Sequence, residues 1–130
     1  MSSPMIPVSW GELLDKIAIL QIKTQRLRAA SALANATREL AALRQAALRQ
    51  VDAAVSGLAE LEAGLMAVNT RLWRIEDMIR EKEAAGDFGP GFVALARAVY
   101  HENDERGRIK QAINRKLRSE LAEEKQYAVY

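Results

Sequence analysis

An apolar helical stripe near the end of the chain turns polar in its middle. Phe92, Leu95 and Val99 open the stripe and Ile113 and Leu117 close it, but Asn103, Arg106 and Lys110 stand between, with Glu102 at the edge. A second polar column occurs earlier. Glu62, Met66, Asn69, Trp73, Glu76 and Arg80 run beside an apolar seam of Leu58, Leu61, Leu65, Val68, Leu72, Ile75 and Ile79. Charge in a packing face must meet a counter-charge, a ligand or water. Two kinds of chemistry fit. The commoner is an interhelical salt-bridge network that fixes helix register, with Glu12, Asp15, Glu62, Glu76 and Asp77 as available carboxylates. The other is a pocket for a small carboxylate or phosphate, gripped by Lys16, Lys23, Arg80, Arg106 and Lys110.

In the pocket reading the ligand set is Lys16 on the first helix, then Asn69, Trp73, Glu76 and Arg80 on a middle one. Tyr100, Asn103, Arg106 and Lys110 complete it from the last. A chorismate-mutase-like pocket holds a dicarboxylate in this manner, an analogy of helix count and charge alone. Other candidates are weaker. His101 lies in HENDER, where its best partner is Glu105 at i+4, and a metal needs several converging ligands. An exposed histidine on a charged face is the commoner outcome, and neither metal nor cofactor is expected. Asp87-Phe88-Gly89 matches a kinase magnesium motif by chance, because no glycine-rich loop or strands accompany it. The basic residues from Arg106 to Arg118 spread around their helix and precede Glu120, Glu123 and Glu124, so they read as a solvated helix end and not as a nucleic-acid stripe.

The elements that must position these groups are helical. Ser9-Trp10-Gly11-Glu12 reads as a capping box, with Val8 and Leu13 as its hydrophobic staple. The helix it starts carries Leu13, Ile17, Leu20, Thr24 and Leu27 on one face. Ile19 and Ile22 sit among charges on the other, which implies that this face too is partly covered. The alanine-rich stretch that follows predicts helix, with a break near residues 29–32 and a reversal between residues 49 and 57. Gly86 is placed as a left-handed C-cap and Pro90 as the first residue of the last helix, over residues 90–118. Residues 1–8 form an extended lead. Residues 119–130 form a tail strapped to the surface by Tyr127 or Tyr130.

Bulk properties agree. The 130 residues suit one domain able to bury a core, and 49% hydrophobic with 28% charged residues excludes global disorder. Nineteen basic and 17 acidic side chains give a net charge of +2, too balanced to argue for nucleic acid. There is no cysteine, which excludes disulfides and thiolate chemistry. No run approaches the roughly 18 apolar residues that span a bilayer, and MSSPMIPVSW is not a signal peptide, so a cytoplasmic location is the expectation.

Several segments resemble an uncharacterised bacterial family. The first is V-S-x-G-E-L-x-D-K, at Val8 to Lys16, and the second N-x-x-L-W-x-I-E-D, at Asn69 to Asp77. Asp87-Phe88-Gly89 then precedes F-x-x-L-A-R-x-V-Y-x-x-N-D-x-R, at Phe92 to Arg106, and E-E-K-x-Y follows at Glu123 to Tyr127. The resemblance implies no activity. It does imply that the polar residues above belong to a family pattern.

The expectation is an all-α, antiparallel bundle of three to four long helices with coiled-coil-like packing, forming a homodimer. Its function is expected to be that of a non-catalytic interaction module with an interhelical polar network. The alternative is a small-molecule binder or enzyme with a Lys/Arg-lined pocket for an anionic ligand, a carboxylate or a phosphosugar.

Overall fold

The computed structural model describes residues 1–49 and 55–130. Among them are four helices and no strand: α1 (Trp10–Arg26), α2 (Ala30–Leu48), α3 (Leu58–Ala85) and α4 (Pro90–Lys116). None of them is long and apolar enough to cross a membrane.

Local chemistry sets most of the boundaries. Ser9 is extended and its hydroxyl accepts from the Glu12 backbone N–H at 3.1 Å, as the capping box requires. The reciprocal half is missing, because the Glu12 carboxylate accepts from Lys110 Nζ at 2.8 Å instead. A charge-assisted bond to a buried ammonium outweighs a bond to one helix-end amide. The chain breaks over residues 27–29, and the reversal after α2 falls partly outside the described residues. Gly86 adopts φ 64°, and the Asp87 N–H reaches back to the Lys82 carbonyl at 2.9 Å, which closes α3 as a Schellman turn. Pro90 begins α4, whose last turn stops at Lys116, two residues short of the expected end. There Arg118 takes a left-handed φ of 49° and the Ser119 N–H bonds to the Asn114 carbonyl at 2.8 Å.

Contacts between helices fix their directions. Arg71 meets Glu102, Gly64 faces Ile109 and Gly57 faces Lys116, so α3 and α4 form an antiparallel hairpin. Glu12 meets Lys110 and Asp15 meets Arg106, so α1 also runs antiparallel to α4. Consequently α1 and α3 point the same way. Their shared core holds Leu14, Ala18, Leu58, Leu65 and Ile113. Helix α2 folds back antiparallel on α1, meets no other helix among the described residues, and shares a small core of Leu20, Ala36 and Leu40.

The α1 stripe differs from expectation. Its buried residues are Gly11, Leu14, Asp15, Ala18, Leu20 and Ile22, while Leu13, Ile17 and Leu27 are only half-buried and Thr24 bonds its own helix at the Gln21 carbonyl. The physical reason is that α1 serves two neighbours on different sides, α2 and the α3–α4 hairpin, so no single stripe can describe it. Close approach decides the glycine. A Cβ on Gly11 would lie 2.5 Å from the Lys110 carbonyl oxygen, and the Gly11 N–H donates to Asn114 Oδ1 at 2.7 Å. The positive end of α1 thereby rests on the negative end of α4.

Candidate functional site

Asp15 is the centre of the polar seam and is fully buried. Its carboxylate accepts from Arg106 Nε at 3.0 Å and from Arg106 Nη2 at 2.5 Å, and from Asn69 Nδ2 at 2.9 Å. One residue from each of α1, α3 and α4 is thus tied at a single point. Hydrogen bonds to Asp15 push the Arg106 guanidinium pKa up against the opposing effect of burial, so its charge is secure. The sequence singled out Arg106 and Asn69 but treated Asp15 as one carboxylate among several. Its position was readable: Gly11, Asp15, Ala18 and Ile22 fall at i, i+4, i+7 and i+11, a stripe of small and apolar residues that includes one acid, and all four are buried.

One turn along α4, Lys110 is buried and donates to Glu12 at 2.8 Å and to Glu123 at 2.6 Å. Burial alone would lower its pKa, but the two carboxylates outweigh that and raise it. The same bond lowers the pKa of Glu123. Glu123 belongs to the tail, which runs back along α4. Ser119 Oγ accepts from the Trp10 N–H at 3.1 Å, Lys125 lies over Gly107, and the Tyr130 hydroxyl donates to Asp104. Of the two tyrosines it is Tyr130 that touches α4, through Asp104, His101 and Tyr100, although both Tyr127 and Tyr130 remain exposed.

Beside the Asp15 centre, where α1 leaves the hairpin, opens a cleft of about 520 Å³. Helix α1 contributes Ile19 and Ile22, the two isoleucines that looked misplaced among charges. From α3 come Asn69, Leu72 and Trp73, with Glu76, Asp77 and Arg80 further along, and α4 adds Asn103 and Arg106. Six of the nine candidate ligand residues therefore share one cavity. The remaining three lie elsewhere. Lys16 points to α2, where it pairs with Glu39 at 3.7 Å; Lys110 is committed to Glu12 and Glu123; and Tyr100 packs against His101 and Tyr130 at centroid distances of 4.9 and 5.1 Å. Helix geometry explains Lys16, since a residue next to Asp15 must point about 100° away from it.

The cleft is less cationic than the candidate set implies. Two of the Arg106 donors are held by Asp15, and Nη1 has only Asn103 Oδ1 at 3.5 Å. Arg80 pairs with Glu76 on its own helix at 3.3 Å. A second depression, of about 670 Å³, lies across Trp73 and is lined by Gln25, Arg26, Leu27 and Arg28 together with Trp73 and Asp77. Two features of α4 lie apart from both. His101 Nδ1 is 3.3 Å from the Tyr130 hydroxyl, and Arg108 pairs with Glu105 at 2.7 Å. Among the described residues, no group of three or more His, Cys, Asp or Glu side chains is placed to hold a metal ion.

No curated protein and no solved structure matches the chain. A family model does, over residues 5–130, described as Family of unknown function (DUF6165). On that match, which takes in every helix and both halves of the polar seam, the chain belongs to this family of unknown function.

Proposed function

We propose that this chain is a non-catalytic helical interaction module that pairs with a second copy of itself through the free end of the α3–α4 hairpin. The observation that carries the reading is the uncovered state of that arm. From residue 76 to residue 106 no residue is buried, although Ile79, Phe92, Leu95, Ala96 and Val99 bring apolar surface to it. Lower on the hairpin, α1 covers the same seam and Leu65, Val68 and Ile113 are completely enclosed. Met78, Phe88, Val93 and Tyr100 add large apolar side chains that are 41–55% exposed.

A second copy suits this surface for two reasons. The arm carries both signs of charge, with Arg80, Lys82 and Arg97 near Glu76, Asp77, Glu81 and Glu83. In a two-fold interface residue i meets j and j meets i, so a patch of one sign would repel its own copy, while a mixed one need not. Two helices side by side can also supply the roughly 800 Å² per partner that a standard interface buries. In this reading the Asp15 centre is the register pin that holds the arm in place, not a reaction centre.

A single cysteine tests the proposal cleanly because the chain has none of its own. Val93→Cys, which need not lie on the two-fold axis, should be joined into a dimer by a flexible bis-maleimide cross-linker, whereas Ala42→Cys, on the exposed side of α2, should not. Equal cross-linking at both positions, or none at either, would refute it. The cleft favours a second reading, a binder of a small ligand, because Asn69, Trp73, Glu76, Arg80, Asn103 and Arg106 share one cavity whose volume is that of a small-molecule site.

A further inference from the structure

The geometry points to a phosphate ester of a hydroxylated ring as the ligand of the cleft, with the phosphate held outside the cleft floor by Arg26 and Arg28. This rests on the cleft taking a small ligand at all.

The floor is a poor anion site. Of the two arginines that line the cleft, Arg106 has its charge matched by the buried Asp15 in a bidentate pair, and Arg80 is paired with Glu76 on its own helix. What the floor offers is neutral hydrogen bonding: the Asn69 and Asn103 amides and the one Arg106 nitrogen that Asp15 leaves over. Such groups suit hydroxyls and carbonyls. The walls are Ile19, Ile22, Leu72 and the flat indole of Trp73, which match the apolar face of a ring.

Unpaired positive charge lies in the adjoining depression, at Arg26 and Arg28. No carboxylate among the described residues is within ion-pair distance of Arg26 or Arg28. Both line the depression that shares Trp73 and Asp77 with the cleft. Asp77 is the one acid there. It repels a phosphate placed beside it, and two guanidiniums outweigh it by one charge. Arginine pairs are suited to phosphate because each can donate two parallel hydrogen bonds. A ligand bridging the two depressions therefore has a neutral polar ring on the cleft side of Trp73 and an anionic group on the arginine side.

Thermal shift and calorimetric titration with four probes test this: glucose 6-phosphate, glucose, inorganic phosphate and adenosine monophosphate. Glucose 6-phosphate is expected to bind, and to lose roughly tenfold or more in affinity in the Arg26→Ala/Arg28→Ala variant. Both arginines are exposed, so that variant should keep the parent melting temperature. Trp73→Ala should abolish binding. Adenosine monophosphate binding more tightly, with the same dependence on Arg26, Arg28 and Trp73, would support the same chemistry and identify the ring as a nucleoside. Glucose binding as well as its phosphate, dependent on Trp73 and indifferent to the arginines, would overturn the phosphate placement and leave the cleft reading standing. No binding of any probe up to about 10 mM would sink the cleft reading itself.

Discussion

Asp15 has no access to solvent, so its charge is matched by protein alone. Its two partners are not equivalent: Asn69 supplies a neutral donor, and Arg106 supplies the charge from a side chain that is still 27% exposed. Removing one partner of a buried pair costs far more than the pair contributes, because it strands the other charge. Arg106→Ala is therefore expected to lower the unfolding free energy by about 3–5 kcal/mol, measured by urea denaturation. Asp15→Ala should cost less, since the guanidinium it releases can turn toward water. A loss below about 1 kcal/mol for Arg106→Ala would mean that the pair does not hold the helices together. The polar gap at Asn103, Arg106 and Lys110 was legible because it broke a stripe. Which carboxylate fills it was not, because residue type is the same for Glu12, Asp15, Glu62, Glu76 and Asp77. Only the helix directions bring Asp15 to Arg106 and Glu12 to Lys110. Arg26 and Arg28 carry no signal in the sequence for a similar reason: they stand near a helix end, where basic residues are ordinary.

At the scale of elements, helix type, the caps at Ser9 and Gly86 and the start of α4 at Pro90 could be read directly, since each rests on local chemistry within a few residues. The double burial of α1 could not, because it depends on where α2 and the hairpin come to lie. The tail is the element with the clearest pH dependence. Its bond to Lys110 lowers the Glu123 pKa from the usual 4.5, and against the opposing effect of burial Glu12 and Glu123 together raise that of Lys110 from 10.5. A depressed carboxylate contributes stability above its ordinary pKa and loses it as pH falls through the depressed value. A raised ammonium contributes below its ordinary pKa and loses it as pH rises through the raised value. The strap should hold fully between about pH 4.5 and 10.5 and release first on the acid side. The heteronuclear NOE of the backbone amides over residues 119–130 should then fall, with no matching change in α3. Glu123→Gln should produce the same loosening at neutral pH. NOE values that ignore both acid and this substitution would show that the tail is held by its other contacts, Ser119 with Trp10 and Tyr130 with Asp104.

At the scale of the whole molecule, the chain is compact at one end and thin at the other. The lower part stacks α1 between α2 and the hairpin around two small cores. Beyond the point where α1 ends, α3 and α4 continue as a pair without a third layer, and their apolar side chains stay partly wet. A helix pair of that length gains little from burial on its own, since most helical stability comes from tertiary packing of an apolar face. That imbalance is what self-association would correct, and it lies at the far end of the same helices that Asp15 pins. Sedimentation equilibrium of the intact chain and of Val93→Glu is the most direct test. The account predicts a dimer for the parent at micromolar concentration, and a monomer of unchanged helical content for the variant. A parent that stays monomeric into the millimolar range, or a Val93→Glu variant that dimerises as well as the parent, would contradict it.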